Sequence, residues 1–370
     1  MIYFDNSATS KFKPKCVIEE YNRFVLDSCN SGRSGHTDCI RVATKVFHAR
    51  ENIKSHLGAE NDYEVIFTSN CTQALNMAIL GFVMPNSHII TTVFEHNSVL
   101  RPLKYLEDNF GVKVTYLEGD KNQKINLKDL KNAITPETKL VIINHISNVT
   151  GVTQDIESIG KITKSHGIKL LIDTAQSLGH THIDMKNMCI DMLASCGHKG
   201  IHGMQGTGIL VIKKDIKLNH ILFGGTGTDS DLLVQPNHMP EGYECGTINT
   251  GGILALSKAF DWTYSNLDNL VRHYNYLSSE LLYGIKNIKK ITCYSTFPST
   301  VISIKVDGYS SSDVAEILNQ NNIAVRSGLH CAPKAHQYLG TIDDGLCRIS
   351  IGYNNTIKDC NILLNTLSKL

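Results

Sequence analysis

Between residues 63 and 212 the chain repeats one pattern, a short apolar run followed by a polar turn and, in most cases, a helical stretch. The runs are EVIFT, HIITTV, VKVTYL, KLVIIN, IKLLID, DMLAS and GILVI. Strands that alternate with helices require βαβ crossovers, and near-continuous Val, Ile and Leu mean that both faces of the sheet are covered. The pattern predicts an α/β fold whose larger domain holds a mainly parallel seven-stranded sheet.

Two helical stretches near 252–264 and 267–284 break this rhythm and read as a connector. A smaller α+β pattern follows. It comprises the strand STVISIKV, a Ser-capped helix SSSDVAEILNQ, strands IAVRS and CRISIGY, and a last helix from about Thr356. Residues 1–60 hold helical segments near 15–28 and 40–57 around the polar loop CNSGRSGH. The expected division is an N-terminal arm (1–15), a large domain (16–250), and connector helices with a small C-terminal domain (251–370). The first helices pack with either domain.

Thirty-six Lys+Arg against 35 Asp+Glu leave a net charge of +1, too little for a strong field toward nucleic acid or an anionic membrane. The start, MIYFDNSATS, lacks the basic and apolar regions of a secretory signal, and no apolar run approaches the ~18 residues of a membrane span. The cytoplasm is the expected location. The 11 cysteines are odd in number and form no CxxC pair, the wrong pattern for a disulfide framework or a zinc ribbon. No H-E-x-x-H supports a metal site, and none is expected.

In open parallel sheets, ligands bind beyond the carboxyl ends of the strands. The residues found there are SNCTQ, FEHNS, HISNVTG, DTAQS and CGHKG. Asp173 follows an apolar strand and either caps the next helix or faces a cation, because a lone buried carboxylate is costly. Lys199, among glycines, reads as a solvated loop charge, a phosphate contact or a Schiff-base amine. Asn70-Cys71-Thr72 opens a helix whose N-terminus suits an anion. His96 alone reads as structural. Together the four supply an acid for a ring nitrogen, an imidazole to stack on a ring, a phosphate site and an amine for an aldehyde, which is what pyridoxal phosphate requires.

The ordered set YFDNSATS, TQALN, EHNSVLRPL, ISNVTG, DTAQS, GHKG, GTINTGG, RSGLHCAP and CRISIGYN runs nearly end to end. It resembles the class V aminotransferase family, and within it the cysteine desulfurases and selenocysteine lyases, pyridoxal phosphate enzymes of fold type I. The resemblance implies that Lys199 is the Schiff-base lysine, that Asp173 pairs with the pyridine nitrogen and that Gln176 bonds the ring hydroxyl oxygen. It implies that His96 stacks on the ring and relays protons. Thr72, His198 and the backbone near Cys71 would hold the phosphate, with Ser195 or the Cys196 thiol in place of the family's usual Ser or Thr donor. Asn148 would sit near the substrate amine or ring hydroxyl, Arg348 would clamp the substrate carboxylate, and Thr247 would reach the phosphate of the neighbouring subunit in a homodimer with shared sites.

Cys331 matches the family's nucleophilic cysteine in the RxGxHCA form of the second desulfurase group, with His330 and Arg326 expected to favour its thiolate. Leu329 stands where that group often has histidine. The implied reaction converts L-cysteine to L-alanine, with a persulfide formed on Cys331 and its sulfur passed to an acceptor protein. The alternatives are a selenocysteine lyase acting on L-selenocysteine, another aminotransferase or β-lyase, and a non-catalytic scaffold.

Overall fold

The computed structural model describes residues 1–31 and 34–370; Gly32 and Arg33 of the CNSGRSGH stretch lie outside the described residues. The chain opens with strand β1 (Ile2–Tyr3) and helices α1 (Lys15–Leu26) and α2 (Thr37–His56). The alternating region follows as β2 (Tyr63–Thr68), α3 (Cys71–Phe82), β3 (His88–Thr92), α4 (Asn97–Phe110), β4 (Lys113–Leu117), α5 (Leu127–Ala133), β5 (Thr138–Asn144), α6 (Ile156–Ser165), β6 (Lys169–Asp173), β7 (Met192–Cys196) and β8 (Gly208–Lys213). These strands form a seven-stranded sheet in the order β2-β8-β7-β6-β5-β3-β4, in which β8 alone runs against its neighbours. The predicted mainly parallel sheet is present.

Side chains alternate across each strand, so each face of the sheet has its own core. On β7, Leu193 joins a cluster with Ile172, Val141 and Ile90, whereas Met192, Ala194 and Cys196 join Leu171, Leu140 and Ile89 on the other face. Helices α1 and α2 and helix α7 (Thr250–Ser265) cover the first face through Val17, Val46, Ile53, Leu254 and Phe260. Helices α3 and α4 cover the second through Leu75, Val99 and Leu103.

The core changes at Asn266. Helix α8 (Leu267–Lys286) packs through Leu270, Leu277 and Leu281 into a separate cluster with Ile302, Ile304, Leu318, Ile349 and Leu363. That cluster belongs to β9 (Ile291–Cys293), β10 (Val301–Val306), α9 (Ser311–Gln320), β11 (Ile323–Ala324), β12 (Arg326–Gly328), α10 (Pro333–Tyr338), β13 (Leu346–Ser350) and α11 (Ile357–Leu367). Helices α9 and α11 open with capping boxes at Ser310 and Thr356.

The stretch IAVRS, read as one strand, is two. Ile323 and Ala324 pair in parallel with Ile2 and Tyr3, while Arg326–Gly328 pair antiparallel with Leu346–Arg348. Two different partners claim the two halves. Phe4 is buried in the small-domain core, and the arm beyond it then crosses to the Lys199 turn.

Candidate active site

Lys199 lies in the turn after β7, half-buried and facing a cavity of about 120 Å³ at the carboxyl end of the sheet. The walls are Asn70, Cys71 and Thr72 at the start of α3, His96 and Ser98 at the start of α4, and Asn144, Asn148, Asp173, Ala175, Gln176, Cys196 and His198. Eight residues of that wall lie within four positions after a strand end, as expected where parallel strands deliver their loops to one edge. Among the described residues no carboxylate stands within ion-pair distance of Lys199.

Asp173 ends β6, where it is buried, and accepts from the backbone N–H of Ala175 at 2.9 Å and from the Cys71 thiol at 3.6 Å. Burial pushes its carboxyl pKa up, against the opposing pull of the Ala175 N–H and Lys199. Gln176 donates Nε2 to the Ser7 carbonyl at 3.1 Å, leaving a buried Oε1 without a partner. At α3 the Asn70 side chain takes the Gln73 N–H, so the cap bond falls on the residue after Cys71 and Thr72.

His96 is the N-cap of α4. Its Nδ1 accepts from the Ser98 backbone N–H at 3.1 Å, which places the ring proton on Nε2. Burial, followed by the charge of Lys199, lowers its pKa to about 4, so the ring is neutral. His198 is likewise neutral, lowered to about 4 by burial, and its Nδ1 lies 3.0 Å from Thr9 Oγ1.

Ser195 is a correction. It lies on the opposite side of β7 from the cavity wall and lies 3.4 Å from the Thr174 carbonyl, whereas Cys196 lines the cavity. The period of two along a strand decides this, since Cys196 shares the face of Ala194 and Met192. Of the two, Cys196 is therefore the side chain that faces the cavity. Burial raises its pKa, so it stands as a thiol.

The small domain ties Arg348 and the loop of Cys331 to the cavity wall through Asn148. Arg348 is 2% exposed; it donates Nη1 to the Asn148 carbonyl at 3.1 Å and Nη2 to Asp5 Oδ1 at 3.2 Å, and its Nε has no partner. Cys331 is exposed, and it and His330 both hold positive φ, 56° and 51°. Two successive non-glycine residues in that region need outside support. It comes from the large domain, where the Asn97 N–H donates to the Cys331 carbonyl at 2.7 Å and Asn148 Nδ2 to the His330 carbonyl at 2.7 Å.

The expectation that His330 favours a Cys331 thiolate is also corrected. His330 is buried, its Nε2 lies 3.3 Å from the Arg326 carbonyl, and it stacks near His336 with ring centroids 5.8 Å apart. Burial lowers its pKa to about 3, so no imidazolium is available there. Thr247 is not among the cavity residues; it is exposed and lines a separate surface depression with Arg50, Glu244 and Phe47.

Sequence reasoning expected the arm but missed its part in the site. Asp5 meets Arg348, Ser7 meets Gln176, and Ser10 and Lys13 both donate to the His198 carbonyl, at 3.0 and 3.3 Å. Its signal was the dense polar run DNSATS before any predicted helix. Glu95 was also missed. It accepts from Thr92 Oγ1 and the Asn144 N–H, and burial raises its pKa to about 8.

The chain is similar to several known proteins. A probable cysteine desulfurase of Pyrococcus abyssi is 33% identical over 386 residues, covering 100% of this chain and 94% of the relative. A Clostridium botulinum protein named cysteine desulfurase IscS is 31% identical over 389 residues, with coverage of 100% and 94%. The solved apo structure of a cysteine desulfurase from Thermococcus onnurineus superposes with a TM-score of 0.92 at 31% identity, covering 100% of this chain and 94% of that one. The family model described as aminotransferase class-V matches residues 2–363, and the chain belongs to that family.

Proposed function

We propose that this protein is a pyridoxal phosphate-dependent cysteine desulfurase that converts L-cysteine to L-alanine and carries the sulfur on Cys331. The observation that carries the reading is the convergence of Lys199, Asp173 and His96 on one cavity, with an exposed cysteine on a loop tied to its wall through Asn148. The names of its relatives support it.

The residues fit the cofactor. Two buried amide oxygens on the cavity residues, Gln176 Oε1 and Asn148 Oδ1, have no protein partner. Gly208 brings β8 so close to α3 that an added Cβ would stand 2.6 Å from the Asn70 carbonyl carbon, which tightens the α3 N-terminus around its anion site. Lys199 would hold the aldehyde, Asp173 the pyridine nitrogen, His96 the ring face and Gln176 the ring hydroxyl. Thr72, the Cys71 backbone, His198 and Cys196 would hold the phosphate, with Thr247 supplied by the second subunit of a homodimer. Exposed Leu222, Phe223, Leu232, Leu233 and Val234, with Leu26, Ile40 and Phe47, give the chain apolar surface for that partner.

Bound pyridoxal phosphate supplies an electron sink next to the substrate amine. Arg348 would bind the substrate carboxylate, and Lys199 Nζ would take and return the α-proton. The Cys331 thiolate would attack the substrate sulfur, forming an S–S bond as the carbon–sulfur bond breaks, and the remaining three-carbon unit would leave as alanine after protonation. His96, with its proton on Nε2, faces the same space and is placed to donate. Because the Cys331 loop is tied to Asn97 and Asn148, the sulfur acceptor must come to the cysteine.

The test is release of alanine and sulfide from L-cysteine, with pyridoxal phosphate and a thiol reductant, by the native protein, Lys199→Ala and Cys331→Ala. Equal amounts from native protein and none from either variant are expected. Full activity of Cys331→Ala toward L-selenocysteine but not L-cysteine would assign the selenium reaction instead.

A further inference from the structure

Strands β12 and β13 place Arg326 directly opposite Arg348, on the same face of the small sheet. Burial lowers the pKa of Arg348 most, Asp5 opposes that by raising it, and the charge of Arg326 lowers it further. Among the described residues Asp5 is the single carboxylate in ion-pair contact with either arginine. It meets a guanidinium that is 2% exposed, while its own side chain is 22% exposed.

The backbone around Asp5 is fixed. Phe4 donates its N–H to Ala324, its carbonyl accepts from Ser350, and the Ser7 N–H donates to Ser350 Oγ at 3.0 Å. The partly exposed Asp5 carboxylate, by contrast, is held by Arg348 alone among the described residues. On the guanidinium, Nη1 is committed to the Asn148 carbonyl, Nη2 to Asp5, and Nε is free and buried. The fork made by Nε and Nη2 is thus half occupied by a carboxylate that belongs to the protein.

We infer that Asp5 is an internal stand-in for the substrate carboxylate: it occupies the Arg348 fork when no substrate is bound, and the incoming carboxylate displaces it. This rests on the assignment of the substrate carboxylate to Arg348 made above. Arg348 cannot be left buried without a counter-charge, because an uncompensated buried ion is far more costly than a paired one. Asp5 meets that need in the free protein and weakens substrate binding by competing with it. The N-terminal arm is then part of the substrate site, and Asp5 is a positioning residue that sets affinity.

The experiment measures binding of L-alanine, which carries the carboxylate and no sulfur, to the protein loaded with pyridoxal phosphate. Calorimetric dissociation constants and ligand-induced shifts in thermal midpoint are compared with those for 2-aminopropanol, which lacks the carboxylate. Asp5→Asn is expected to bind L-alanine on the order of tenfold more tightly, since competition divides the intrinsic affinity by the fraction of time the fork is free. Its 2-aminopropanol binding stays as in the native protein, and its ligand-free thermal midpoint falls. Asp5→Ser carries the same expectation if Asp5→Asn does not fold. Unchanged or weaker L-alanine binding in the folded variant overturns the inference. Arg348→Ala separates the two claims: loss of preference for L-alanine over 2-aminopropanol upholds the Arg348 assignment, and retained preference overturns that assignment and the inference with it.

Discussion

Asn148 donates its side-chain amide to the His330 carbonyl at 2.7 Å, and its own carbonyl receives Arg348 at 3.1 Å. One residue of the large domain therefore fixes both the loop that carries Cys331 and the guanidinium of Arg348. Because the loop holds two left-handed residues in succession, it depends on such outside bonds.

Asn148→Ala is expected to lower the rate of sulfide release by about tenfold or more, since an ångström-scale misplacement of a reacting group has costs of this order. It leaves the His330 carbonyl unpaired, a loss of about 1–3 kcal/mol in stability. Sulfide assays and denaturant unfolding check both. Native sulfide release in a folded variant would remove Asn148 from the positioning of Cys331.

Cys196→Ser is expected to tighten pyridoxal phosphate binding, because a hydroxyl is a stronger donor than a thiol at the cavity wall. Ser195→Ala, on the other face of β7, leaves it unchanged. Equilibrium titration of the cofactor by absorbance reads both, and a larger effect at Ser195 would contradict the strand parity.

The buried histidines make the fold acid-sensitive. His96 and His198 are lowered to about 4 and His330 to about 3, all by burial first. Between those values and the unfolded pKa of about 6.5 the unfolded chain binds more protons, so stability falls as pH drops through this window. Each of His96 and His330 contributes at most about 1.4 kcal/mol per pH unit. Thermal midpoints measured from pH 7 to 5 in a Glu95→Gln background, free of that opposing carboxyl, should fall, and a flat profile there would show that these rings are solvated.

Glu95 acts in the opposite direction. Its carboxyl is raised to about 8 by burial, so the folded protein holds a proton that the unfolded chain releases above about 4.5, and stability declines as pH rises from there to 8. Glu95→Gln removes that titration. The ratio of native to variant stability should fall steadily across this range in urea unfolding, and a constant ratio would place the charged form in the fold.

Arg50 and Glu244 form a bidentate buried pair at 2.7 and 2.6 Å, with the Phe67 N–H donating to the same carboxylate at 2.6 Å. This bolts the segment before Thr247 to strand β2. Glu244→Ala strands a buried guanidinium and should cost about 3–5 kcal/mol in unfolding free energy. A loss below 1 kcal/mol, by the same measurement, would mean that water replaces the pair.

The sequence alone determined the parallel sheet, the helix starts and the strand-end residues that wall the cavity, because these follow from periods of two and 3.6 and from caps within a few residues. Even the choice of Cys196 over Ser195 was readable from the alternation of DMLASC once the strand was assigned. The tertiary structure decided what those periods do not encode. Asp5 meets Arg348 across 343 residues, and Asn148 meets His330 across 182. Such pairs are set by how the arm and the small domain pack onto the sheet, and packing of surfaces distant in sequence leaves no local pattern along the chain from which it can be read.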